Sequence, residues 1–129
     1  MLGHQDDKTS SIVNRRAAEA KGRAAEDEVA ARLRNRGLTI LARRLRTGAG
    51  EIDLVAADDQ SLIFIEVKAR RTLTEAAYAV SPRQQARLLE AASVALAHRP
   101  DWARPCTRFD VALVSGGAVS IIEDAIRYH

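Results

Sequence analysis

The segment Gly50–Arg70 limits what this chain can fold into more than any other part of it. It reads as two strands joined by a polar turn at Asp58–Ser61, and the second strand, Leu62–Ala69, is rich in β-branched and aromatic residues. Both faces of that strand are apolar, with Ile63, Ile65 and Val67 on one and Leu62 and Phe64 on the other. A strand buried on both sides is central, so a layer of helix or sheet must cover each face. Into this apolar run the chain places Glu66 and Lys68.

The turn decides what those charges meet. A tight symmetric loop centred between Asp59 and Gln60 sets Asp53 directly opposite Glu66, with Cβ atoms roughly 4.5–5.5 Å apart. Lys68, two residues on, projects from the face of Glu66. Facing carboxylates repel unless a proton or a cation lies between them. The hairpin therefore predicts a divalent-cation site with a lysine beside it. Oxygen donors from Asp53, Glu66 and the Val67 carbonyl suit Mg²⁺ or Mn²⁺, and no His or Cys in these segments favours zinc.

The remaining composition fits a compact domain of one piece. A length of 129 residues suffices for a hydrophobic core. A single cysteine, Cys106, rules out an internal disulfide. The polar start, Met1–Ser11, lacks a signal-peptide core, and no apolar run reaches the ~18 residues of a membrane span, so a cytoplasmic protein is expected. The net charge is only +3, but the distribution of charge matters more than its sum. Arg43, Arg44, Arg46, Arg70, Arg71, Arg83 and Arg87 flank the hairpin, a rim that suits a polyanion such as nucleic acid or serves only as solvated surface.

Residues 1–14 show no periodicity and read as a flexible tail, with the folded domain spanning 15–129. A helix is expected from about Arg15 to Arg36, with Ala25, Val29, Ala30 and Leu33 as its apolar stripe and Gly37 as its stop. Glu26 falls on that stripe and either points at the sheet or sits at the margin and reaches water. A strand at Leu38–Arg46 precedes the hairpin, and Arg71–Val80 is a loop with room for a helical turn at Glu75–Ala79. Ser81, Pro82 and Gln84 then give a helix start with a capping box, and the helix runs to about Arg99 on Leu88, Leu89, Ala92 and Leu96. Gln85 opens that buried stripe, so its amide faces the carboxylate end of the sheet or a backbone group. Trp102 lies in a Pro-bounded loop and reads as packing over the core edge rather than as a stacking platform. Arg108–Val114 and Ala118–Ile122 are strands joined at Gly116-Gly117. Asp110, opposite in face to Phe109, lies near the site or at an edge.

Glycosidase chemistry also uses paired acids, but 4% aromatic residues leave little to line a sugar cleft. No Ser/His/Asp set is present, and the cysteine has no histidine in its segment. A helix acid at Glu26, then Glu51-Ile52-Asp53-Leu54, Phe64-Ile65-Glu66-Val67-Lys68 and Ser81-Pro82-Arg83-Gln84-Gln85 together resemble the PD-(D/E)xK nuclease superfamily. More narrowly the chain is similar to the YraN family of small bacterial predicted endonucleases, related in fold to Holliday-junction resolvases, over about Gly22–Tyr128. Ile52 stands where the superfamily name has proline, and Ala25 where a glycine often precedes the helix acid. The resemblance implies an α/β restriction-endonuclease-like domain, a mixed sheet of about five strands in an αβββαβ core with a closing strand. It further implies Asp53 and Glu66 as metal ligands, Lys68 as catalytic lysine, Glu26 as helix acid and Gln85 as second-helix amide. The activity implied is metal-dependent cleavage of DNA, branched or otherwise structured DNA included, with a homodimer for paired cuts. A non-catalytic nucleic-acid binder or scaffold on the same fold is the rival.

Overall fold

The computed structural model describes residues 2–72, 74–75 and 80–127, with side chains from Ile12 onward. Five strands form one sheet in sequential order: β1 (Thr39–Thr47), β2 (Gly50–Ala57), β3 (Ser61–Ala69), β4 (Cys106–Ser115) and β5 (Ala118–Ile122). The strand with two apolar faces, β3, takes the middle place. It pairs antiparallel with β2 and parallel with β4. A parallel neighbour needs a crossover, and helix α2 (Pro82–His98) lies in the β3–β4 connection. Helix α1 (Leu2–Asn35) precedes β1, so the chain runs α, three strands, α, two strands, a mixed α/β domain with the expected closing strand.

Alternation along β3 divides the core into two layers. Leu62 and Phe64 pack with Leu88, Ala91, Ala92 and Ala95 of α2, and Phe64 stacks on Phe109 with ring centroids 5.5 Å apart. Ile63 and Ile65 pack with Ala25, Val29, Ala30 and Leu33 of α1. Trp102 closes the edge of the α2 layer at 4% exposure, as the packing role requires. It does so from a 3-10 turn (Pro100–Trp102) rather than a plain loop, with the Arg99 guanidinium 4.7 Å from its ring centroid.

Helix α1 begins far ahead of the expected start at Arg15, since its backbone is helical from Leu2. From Ile12 on, its first buried residue is Ala25, so the turns between Ile12 and Ala24 are held by helix propensity and not by packing. The buried face of α2 uses Ala91 and Ala95 besides Leu88 and Ala92, with Leu89 and Leu96 only partly covered. Most of the helical turn expected at Glu75–Ala79 lies outside the described residues.

The start of α2 is fixed by local chemistry. The Ser81 hydroxyl accepts the Gln84 N–H at 3.2 Å and the Gln84 side chain accepts the Ser81 N–H at 3.2 Å, with Pro82 in the first turn. Ser81→Ala removes one acceptor of this reciprocal pair and is expected to cost about 1 kcal/mol. Urea denaturation of the two proteins measures it, and equal midpoints would show the cap to be idle.

Candidate functional site

The turn sets the register that the sequence dictates. Asp58 Oδ1 accepts the N–H groups of Gln60 and Ser61 at 2.9 and 2.8 Å, and the β2–β3 ladder runs from Ala57↔Leu62 to Leu54↔Ile65. The next position would pair Asp53 with Glu66, and there the ladder stops. Asp53 Oδ2 instead accepts the Val67 N–H at 2.8 Å, so a side chain takes the place of a backbone partner.

Strand β2 turns over at the same point. Ile52 packs in the α2 layer and Leu54 in the α1 layer, although residues two apart in a regular strand share a face. Across the sheet, Arg44 lies opposite Asp53, between the pairs Arg43↔Leu54 and Leu45↔Ile52. Arg44 has φ +50°, a left-handed backbone that costs a non-glycine residue about 1–3 kcal/mol unless neighbours hold it. Such strain gathers at functional sites. The hold comes from α1, where the buried Glu26 accepts Arg44 Nε at 2.8 Å. Glu26 thus faces the sheet and does not reach water at the margin.

Three acids and a lysine converge here. Lys68 Nζ lies 3.2 Å from Glu66 Oε1, and both side chains are mostly covered. Burial, then the charge of Glu66, push the Asp53 carboxyl up to about 7, with Glu26 adding to the rise and the Val67 N–H opposing it. The Asp53 carboxyl lies close enough to Glu66 for that side chain to disfavour its ionisation, as expected where two like charges meet. Arg44 is held charged by Glu26 first and by Glu51 and Asp53 from further off.

Other residues singled out by the sequence take different places. Gln85 spends its amide on the Val80 carbonyl at 3.3 Å, the backbone option, and no described contact joins it to the carboxylates. Arg43 pairs with Asp27, Arg44 with Glu26, Arg46 with Glu51 at 3.9 Å and Arg71 with Glu75 at 3.6 Å. Arg70 donates to the neighbouring Ala69 carbonyl, while Arg83 and Arg87 are exposed on the first turns of α2. Arg87 lies so close to Gly50 that a Cβ there would sit 2.9 Å from its stem, and Gly50 has φ +144°. Asp110 is fully buried on the α1 side of β4, bound by Arg108 Nε and the Asp124 N–H, a structural position apart from the site. The left-handed Arg44 and the reversal at Asp53 have no signal in residue type.

The donor set can be weighed against a cation. Among the described residues no three His, Cys, Asp or Glu side chains form a ready-made cage. Two neighbouring carboxylates, one of them with raised proton affinity, fit Mg²⁺ or Mn²⁺, which take one or two protein carboxylates and complete their shell with water or substrate oxygen.

Among the described residues no helix is long and apolar enough to cross a membrane. The model of the uncharacterised protein family UPF0102 matches residues 25–114, from Ala25 in α1 to the last residue but one of β4. A UPF0102 protein of Acidiphilium cryptum (strain JF-5) is 53% identical over 113 residues, 88% of each chain. One from Azorhizobium caulinodans is 51% identical over 106 residues, 81% of each chain. A third, from Granulibacter bethesdensis, is 49% identical over 111 residues, 85% of this chain and 70% of its own. The chain belongs to the uncharacterised protein family UPF0102.

Proposed function

We propose that the protein is a nuclease that hydrolyses phosphodiester bonds in DNA, with Mg²⁺ or Mn²⁺ held by Asp53, Glu66 and the Val67 carbonyl. The observation that carries this reading is the Asp53–Glu66 pair with Lys68 Nζ 3.2 Å from Glu66 and the Asp53 carboxyl raised to about 7. A plain binder of nucleic acid gains nothing from partly buried acids beside phosphates, which repel them. When bound, the cation polarises the phosphoryl group and lowers the pKa of water.

The chain's own residues supply position and charge. The Val67 N–H fixes one oxygen of Asp53 just past the last β2–β3 pair, Leu54↔Ile65, which leaves the other for a cation. Lys68 holds the attacking water and offsets the negative charge that builds on the phosphoryl oxygens. Glu26 anchors Arg44 against Asp53 and orients water from the α1 side. Gln85 positions the nucleophile or a phosphate after releasing the Val80 carbonyl. Arg43, Arg44, Arg46, Arg70, Arg71, Arg83 and Arg87 form the rim that takes the strand. Two cuts placed symmetrically on a branched substrate would need a second copy.

Cleavage of branched, single-stranded and duplex DNA with Mg²⁺ or Mn²⁺ tests the reading. Wild-type protein is expected to cut at least one of these, with Asp53→Ala, Glu66→Ala and Lys68→Ala slower by at least ~10²-fold. Cleavage that survives both carboxylate substitutions would belong to a contaminant. Salt-sensitive binding without cleavage under either metal would leave a binding module.

A further inference from the structure

Four of the seven rim arginines are paired with acids of the chain itself, so part of the rim's charge is already spent. The unspent charge lies elsewhere. Residues 12–24 of α1 carry Arg15, Arg16, Lys21 and Arg23 against one acid, Glu19, and no ion pair joins these cations to a described carboxylate. Every residue from Ile12 to Ala24 is exposed except the half-buried Gly22. At 1.5 Å per residue this stretch reaches roughly 20 Å beyond Ala25.

Its direction follows from contacts already described. The Leu33 carbonyl, towards the C-terminal end of α1, accepts the Leu38 N–H ahead of β1, whereas Asp27 and Glu26 bind Arg43 and Arg44 at and just past the middle of β1. The N-terminal turns therefore leave the domain at the end of the sheet that holds Asp53, Glu66 and Lys68. Arg15, Glu19, Arg23 and Glu26 follow at steps of four, four and three, which puts Arg15 and Arg23 on the face that Glu26 turns to the site. Arg16, seven residues before Arg23, borders the same face, and Lys21 projects from the opposite side.

We infer that this projecting part of α1 is an arm that lies along the sugar–phosphate backbone of DNA beside the site, with Arg15, Arg16 and Arg23 on phosphates. The inference rests on the nuclease reading only for the kind of polymer. A free, one-sided row of guanidinium groups collinear with the site suits a phosphate backbone. A second copy of the chain would bring the same positive charge to the same face and meet repulsion.

Binding of a fluorescent DNA junction and a duplex to the full chain in EDTA, titrated from about 50 to 300 mM salt, tests this without any cleavage. Replacing Arg15, Arg16 and Arg23 by Gln keeps helix propensity and is expected to lower the slope of log affinity against log salt by about 2–3. Lys21→Gln is expected to shift it by less than about 0.5. An unchanged slope in the triple variant overturns the arm, even where the wild type cuts DNA. A triple variant that changes only from dimer to monomer by light scattering also overturns it, in favour of self-association. Absence of cleavage by the wild type under any metal would sink the nuclease reading and leave the binding result standing.

Discussion

Asp53→Asn is expected to abolish cleavage and yet to make the metal-free protein more stable at pH 8. The Asp53 carboxyl is pushed from its ordinary 3.8 up to about 7 by burial and by the charge of Glu66. Between those values the folded chain holds a proton that the unfolded chain has released. Stability therefore falls as pH rises from about 4 through about 7, and is level above. An asparagine carries no charge, while its Oδ1 still accepts the Val67 N–H and its amide donates to Glu66. The two proteins should melt alike near pH 4, and at pH 8 the variant should be ahead by on the order of 4 kcal/mol, roughly 15 °C in Tm. Mg²⁺ should close that gap by raising the wild type alone, because a ligand bound only by the folded state stabilises it. Calorimetry from pH 4 to 8, with and without Mg²⁺, reads all three effects. Parallel melting curves for the two proteins across that range would show that Asp53 carries no raised proton affinity.

This pairing was legible because it depends on local rules. The Asp58 turn binds its own next residues, so it fixes the register, and period-two alternation then assigns the faces of β3. The capping box at Ser81 and Gln84 is of the same kind, a bond between neighbours in sequence. The features that escaped are made by residues far apart. Nothing in the letters around Arg44 announces φ +50°, which exists because Glu26, eighteen positions earlier, takes its guanidinium. The reversal between Ile52 and Leu54 is likewise invisible, since both are aliphatic and fit either layer. Gly50 could be read as a turn residue, but not as the place where the Arg87 stem passes. The true start of helix α1 is hidden for the opposite reason. Its early turns lack an apolar stripe, and a pattern-based boundary waits for one, while the backbone there needs only residues tolerant of helix.

Asp110 is the acid whose place residue type alone does not decide, and its surroundings separate two uses of a buried carboxylate. It is fully buried, accepts Arg108 Nε at 3.1 and 3.3 Å, and takes the Asp124 N–H at 2.9 Å. Arg108 reaches on to Glu123 at 3.5 Å, and Ala125 donates to the Phe109 carbonyl at 2.8 Å. Together these bonds lay the segment after β5 across β4 and bring Ile126 into the α2 layer. Both acids accept a backbone N–H, but the Asp110 carboxylate also has a bound cation in Arg108, so it offers a metal nothing to neutralise. Asp110→Ala strands a mostly covered guanidinium and a backbone N–H, a loss of about 2–4 kcal/mol. At roughly 4 °C per kcal/mol this lowers Tm by about 8–15 °C. Asp110→Asn keeps one acceptor and should fall between the variant and the wild type. The folded fraction of either should cut DNA within about threefold of the wild-type rate, since no site residue touches Asp110. A variant with wild-type Tm and no cleavage would move Asp110 from scaffold to site, and would show that the reactive centre extends across β4.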